Sequence, residues 1–315
     1  MIIPMTSPDF VPDLQAAFDN YAARQVQAAI ADRDQRITVL TGQLAAAQQT
    51  IAALQSQLAG GGTLPAAPTG FMIAAQDDFS TGKVNTDLWN VRDNDSSSNE
   101  LSLRLAANVL CGTDHLTIRA QRQAVGNFQF TSGYLDNIGK ASGVVPFGRW
   151  LIRARWTDLY GLWPALWLRF TNGAGEIDIM EAIGSWPNIA HTAHQDTNGQ
   201  QDKTGTTWPF PAGWKPSDWH VYGLERQADG TLIWSIDGTV TKTASPRDKS
   251  TKLHQPMSWL TGPTYAGGLN LRVNLQVGGS MPGSVLPGLD PSKILPPGTV
   301  GALDIDWIQV LAPAS

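Results

Sequence analysis

The chain has 315 residues, a net charge of -5 with five His, and a single cysteine, Cys111. It holds no block of Lys and Arg, which excludes the clustered basic footprint of a nucleic-acid partner. One cysteine excludes an internal disulfide, and no apolar run is long enough to span a bilayer. Charged residues make up only 16%, and the aromatics are skewed toward Trp, with 12 against 5 Tyr. An indole face suits stacking on a sugar ring, but it fills a β-sandwich core equally well, and most of these Trp are expected there. Cys111 is expected to be a small buried apolar residue. The opening Met1-Ile2-Ile3-Pro4-Met5 lacks a basic n-region and a sustained apolar stretch, so no cleaved signal is expected and the chain should fold in a reducing cytoplasm.

Residues 1–59 read as a helical oligomerisation segment. They contain no Trp and no Lys, and from Val26 the apolar positions recur with 4-3 spacing. One row is Ile30, Ile37, Leu44, Ile51 and Leu58; the other is Val26, Leu40, Ala47 and Leu54, interrupted by Arg33. A strict seven-residue repeat is the seam of a coiled coil and implies a homo-oligomer. Mostly Ile in one row and mostly Leu in the other favour a dimer, while the sparse e/g charges and central Ala and Arg leave a trimer open. Residues 60–70 read as a linker, because Gly60-Gly61-Gly62, Pro65 and Pro68 end a helix.

Residues 71–315 have a different texture of short apolar runs between turn residues. Leu116–Ala120, Trp150–Trp156 and Leu232–Ile236 are expected strands, and Asp237-Gly238 is an expected hairpin turn. No strand alternates with a long helical pattern, so the segment is expected to be an all-β sandwich or barrel.

Within it, Gly175-Glu176-Ile177-Asp178-Ile179-Met180-Glu181 alternates acidic with apolar side chains. Glu176 and Asp178 share a face by parity. Glu181, five residues from Glu176, reaches that face only if a β-bulge near Ile179-Met180 inserts a residue. Three crowded carboxylates raise one another's pKa. Glycoside hydrolysis uses such crowding, since one carboxyl must be ionised to attack and another protonated to donate. A solvated acidic strand or a metal site is the competing reading of these residues. There is no Walker loop, Gly-x-Ser-x-Gly elbow or Cys/His cluster, so nucleotide, serine-hydrolase and zinc chemistry are unsupported.

Glu-Ile-Asp-Ile-Met-Glu at 176–181 resembles the signature of family 16 glycoside hydrolases, in the bulged form of laminarinases, agarases and carrageenases. Upstream, Trp163-Pro164-Ala165-Leu166-Trp167 is similar to a family strand. So, downstream, are Trp219–Tyr222, Trp234–Gly238 and Asn274-Leu275-Gln276-Val277-Gly278-Gly279. The resemblance covers about residues 76 to 311. It implies a concanavalin A-like β jelly roll that cuts internal β-linkages of a glucan or galactan with retention and without a cofactor. It implies Glu176 as nucleophile, Glu181 as acid/base catalyst and Asp178 as helper. Trp163, Trp167, His194, Tyr134 and Asn274 are implied as substrate contacts, although Tyr134 stands where the family often has Arg. Asp306 matches a position that often supplies a structural calcium ligand, while Asp114 stands where a Gly is common. His191 and His194, three apart on a strand, should face opposite ways, which argues against a His pair on a metal. A coiled coil ahead of such a domain resembles a bacteriophage minor tail protein. That would place the chain on the virion tail, beside other tail proteins, acting on polysaccharide at the host surface. A non-catalytic carbohydrate-binding module and a structural fibre protein are the alternatives.

Overall fold

The computed structural model describes residues 10–58, 64–197 and 200–314. The chain divides into two units, residues 1–49 and 50–315. Helix α1 (Phe10–Leu58) is continuous over 49 residues. Of the expected seam, Val26, Ile30, Ile37 and Leu40 are all exposed along it. Arg36 and Asp32 pair one turn apart. The expected linker glycines, Gly60-Gly61-Gly62, lie outside the described residues. Among the described residues, no helix is long and apolar enough to cross a membrane.

The remainder is strand. In chain order the strands are β1 (Phe71–Asp77), β2 (Asn90–Val91), β3 (Ser102–Arg104), β4 (Val109–Cys111), β5 (Leu116–Val125), β6 (Phe128–Ser132), β7 (Tyr134–Asp136), β8 (Gly148–Trp156) and β9 (Leu162–Phe170). They continue with β10 (Gly175–Ile183), β11 (Trp186–Thr197), β12 (Gln200–Pro209), β13 (His220–Arg226), β14 (Leu232–Ile236), β15 (Thr239–Ala244), β16 (Leu269–Val277) and β17 (Val300–Pro313). The three runs expected as strands fall in β5, β8 and β14. Asp237 and Gly238 join β14 to β15 with φ of 51° and 76°, the positive pair that a two-residue hairpin turn requires.

Two sheets face each other. One runs β15-β14-β13-β8-β17-β5-β6-β3, with β1 added on β17 and β4 on β5; the other runs β12-β11-β10-β9-β16-β7-β2. Alternation along each strand builds the core between them. Trp150, Ile152 and Ala154 of β8 and Leu116, Ile118 and Ala120 of β5 point in from the first sheet. Leu166 and Leu168 of β9, Ile177 and Ile179 of β10, and Leu271, Val273 and Leu275 of β16 meet them from the second. Burying one such side chain contributes about 1.5–3 kcal/mol. The even-odd partners of these residues form the outward face of the second sheet, and there the polar chemistry collects.

Two expectations change here. Cys111 is only half-buried. Asp306 is buried and ion-paired with the guanidinium of Arg153, at a register shift where β17 passes β8. Its charge is already matched, and a calcium ion at its carboxylate would lie against a fixed cation. With its charge matched by Arg153, the Asp306 carboxylate does not fit the role of a calcium ligand.

Candidate active site

The bulge in β10 is the feature from which the site is built. Against β9, Asp178 pairs with Trp167 and Met180 with Leu166, so β10 spends two residues where β9 spends one. Against β11, Asp178 pairs with Thr192 and Glu181 with Ala190, again one residue extra in β10. Ile179 and Met180 are both fully buried. The insertion returns Glu181 to the face that carries Glu176 and Asp178. Gly175 opens the strand because a Cβ there would lie 2.5 Å from the carbonyl oxygen of His194.

A bulge leaves ladder groups unpaired, and a dry interior makes that costly. Two side chains answer it. The indole N–H of Trp234, on β14 of the facing sheet, donates to the Asp178 carbonyl oxygen at 2.8 Å. The His191 ring, on β11, meets the Ile179 carbonyl oxygen through Nδ1 at 2.7 Å. A carbonyl only accepts, so Nδ1 carries the proton and Nε2 accepts from the Thr241 hydroxyl at 2.9 Å. Burial pushes the His191 pKa down to about 4, keeping the ring neutral. His191 thus faces away from His194, as their spacing requires.

The outward face holds the chemistry. Glu176 Oε2 accepts from Arg169 Nη1 at 3.0 Å, and Arg169 stands directly opposite it on β9. His194 stands opposite Glu176 on β11, and its Nε2 lies 3.2 Å from Asp178 Oδ2. Glu181 lies between Ala165 and Ala190 on the neighbouring strands. Glu181 Oε1 accepts from the Trp163 indole at 2.9 Å. Burial, then the charges of Asp178 and Glu176, hold the Glu181 pKa well above the ordinary carboxylate range, although the Trp163 hydrogen bond works the other way. Glu181 therefore holds its proton to higher pH than an ordinary carboxyl does, on the same face as Glu176 and its Arg169 partner.

Of the expected substrate contacts, Trp167 and His194 keep partial exposure on this face. Trp163 is largely covered, 8% exposed, and touches Glu181. Asn274 is corrected to a support: it is 1% exposed, because its Oδ1 accepts from the Trp167 indole at 2.7 Å. Tyr134 is likewise buried, its ring edge-on to Trp167 and under the Arg104 guanidinium at 4.6 Å. Burial pushes its pKa up to about 12. Glu176, Asp178 and His194 also bring ligand atoms within 4.8 Å of one another, a different trio from the three carboxylates of the metal reading.

Sequence reasoning missed Arg169, Arg272 and the role of His191. Parity offered the first two: Trp163, Ala165, Trp167 and Arg169 share one face of β9, and Asn270, Arg272 and Asn274 share one face of β16. His191 gave no signal of its own, because a bulge partner is defined only in space.

A carboxylate paired with a guanidinium, a carboxyl of raised pKa on the same face and flanking aromatics are the equipment of a glycoside hydrolase. The sequence profile of glycosyl hydrolases family 16 matches residues 88–276, and the chain belongs to that family. It is 31% identical over 214 residues to the beta-glucanase of Rhodothermus marinus, covering 64% of this chain and 70% of that protein. It is 29% identical over 203 residues to glucan endo-1,3-beta-glucosidase A1 of Niallia circulans, covering 58% of this chain but 26% of that longer protein. In three dimensions it resembles the catalytic domain of an endo-1,3-beta-glucanase (laminarinase) from Thermotoga petrophila. That match has a TM-score of 0.65 and 24% identity, over 78% of this chain and 99% of the other. The family's chemistry is retaining and needs no cofactor.

Proposed function

We propose that the chain is an endo-acting β-glucanase in which Glu176 attacks the anomeric carbon while Glu181 protonates the departing glycosidic oxygen. The glycosyl–Glu176 ester is then opened by water, and Glu181, now ionised, takes the water's proton. Asp178 lies between them in sequence, with His194 Nε2 3.2 Å from its carboxylate. The observation that carries this reading is the bulge, which returns Glu181 to the face of Glu176, where burial and the acidic neighbours raise its pKa. The names of the relatives favour β-1,3- and mixed-linkage glucans. Reducing-sugar release from a panel of β-glucans and β-galactans tests it, with Glu176→Gln and Glu181→Gln beside the parent chain. Cleavage of one polymer by the parent alone supports the assignment. Binding of a polymer without cleavage, equal in all three proteins, points instead to an adhesion module.

We propose further that α1 joins two or three copies as a coiled coil and presents the heads on a phage tail, at the host surface. The exposed row of Val26, Ile30, Ile37 and Leu40 supports self-association. Several linked heads would hold a polymer by avidity. Immunogold labelling of purified virions tests the location; label absent from the tail would refute it.

A further inference from the structure

The outward face of the second sheet carries a cation that the hydrolytic chemistry does not use. Arg272, on β16, stands directly opposite Trp167 on β9 and Asp136 on β7. Register would make Asp136 its partner, but that carboxylate is spent elsewhere. Its Oδ2 accepts from Arg92 Nε at 2.6 Å, and its Oδ1 from Asn90 Nδ2 at 2.9 Å and the Ile138 amide at 2.9 Å. Asp136 is fully buried. Arg272 instead lies over the Trp167 ring, its guanidinium carbon 4.7 Å from the centroid. Its Nε donates to Asn270 Oδ1 at 3.1 Å. Among the described residues, no carboxylate lies within ion-pair distance of Arg272.

The arrangement is a partly exposed guanidinium over an indole, in hydrogen-bond contact with Tyr134 and with no carboxylate partner among the described residues. A guanidinium fork matches the oxygens of a carboxylate or sulfate two at a time, and its contacts with Trp167, Asn270 and Tyr134 limit how it can turn. Arg272 is two strands from Asp178, about 10 Å across the sheet at the usual strand spacing. That is the distance of a neighbouring sugar and not of the scissile bond.

We propose that Arg272 and Trp167 form an anion-reading subsite on the outward face of the second sheet, which takes an oxyanion substituent, carboxylate or sulfate, on the glycan. The inference rests on the glycan-hydrolase reading and adds the charge of its substrate. A neutral polymer would leave the fork with only hydroxyl acceptors, whereas an oxyanion supplies a charge-assisted pair.

The test uses the full chain carrying Glu176→Gln, so that the polymer survives the measurement. Calorimetry compares laminarin with carboxymethylated laminarin and sulfated laminarin. We expect the anionic forms to bind about tenfold tighter than the neutral one at low salt. Whichever derivative shows the gain identifies the oxyanion. Adding Arg272→Met, which keeps a stem on Trp167, should bring the ratio close to unity. Arg272→Lys, a charge without the fork, should fall between. Raising salt to about 1 M, where screening acts within about 3 Å, should reduce the ratio in the chain that keeps Arg272, a result independent of whether the variants fold. Equal binding of neutral and anionic forms, or a ratio that Arg272→Met leaves intact, overturns the subsite alone. Failure to bind any of the three overturns the glucan reading, and the subsite with it.

Discussion

The indole nitrogen of Trp234 and the main-chain oxygen of Asp178 are bonded across the sandwich at 2.8 Å. One residue belongs to β14 of the first sheet, the other to β10 of the second, and neither atom is on the outward face that carries Glu176 and Glu181. The bond holds one free carbonyl of the bulge, so it fixes the backbone between Asp178 and Glu181. Trp234→Phe keeps the ring and removes the donor. Leaving that carbonyl unpaired should cost about 1–3 kcal/mol. The loosened bulge should lower kcat several-fold with KM little changed, because Trp234 touches no sugar. Thermal unfolding and steady-state kinetics on one preparation decide the matter. A lower Tm with unchanged kcat would make the bond a stabilising contact and nothing more.

Glu176→Gln and Glu181→Gln should separate the two carboxyl roles. Removing the nucleophile should lower kcat by on the order of 10⁴-fold or more, and removing the acid by about 10²–10⁴-fold. An activated aryl glycoside, whose leaving group needs little protonation, should spare the first step in Glu181→Gln and not in Glu176→Gln. Equal losses on both substrates would contradict the assignment.

The raised pKa of Glu181 fixes the alkaline side of the pH profile. Activity should fall as pH rises through that pKa, because the donor loses its proton. Stability follows the same sign. A carboxyl whose folded pKa lies above its unfolded one holds an extra proton in the native state, and that contribution is lost as pH rises. Glu181→Gln should therefore show a higher Tm than the parent at alkaline pH and no gain below about pH 4, where both states are protonated. Melting curves across pH test this; a gain that does not depend on pH would point to packing and not to charge.

Much of this was legible in the residues. The parity of Glu176 and Asp178, the need for a bulge before Glu181, and the opposed faces of His191 and His194 are all matters of counting along a strand. What sequence could not supply is what lies across strands. Asn274 and Tyr134 look like cleft residues by position, yet both are drawn under Trp167, one by a hydrogen bond and one by ring packing. Asp306 looks like a free hard ligand until Arg153 is placed beside it. His191 gained its role from a carbonyl twelve residues away that only the bulge sets free.

His191 should also leave a mark on acid stability. Its pKa is held near 4 in the fold, against about 6.5 unfolded. Its contribution is full above the unfolded value and is lost as pH falls toward 4, by up to about 3 kcal/mol. His191→Gln, which retains an N–H donor for the Ile179 carbonyl without titrating, should flatten the fall in Tm between about pH 6.5 and 4. An equally steep fall in both proteins would assign it to other groups.

The exposed row on α1 gives a prediction independent of the site. In a coiled coil, Ile30 and Ile37 occupy successive positions of one seam row, so a charge at both would be buried in the interface without a partner. The double substitution Ile30→Asp with Ile37→Asp should lower the sedimenting mass from two or three times 33.9 kDa to 33.9 kDa. Turnover of a short soluble oligosaccharide, which engages one head, should be unaffected. Retention on an insoluble polymer, which engages several, should fall by about 10²-fold or more. A parent chain that already sediments at the single-chain mass would refute the seam, and the helix would then need another partner for its apolar row.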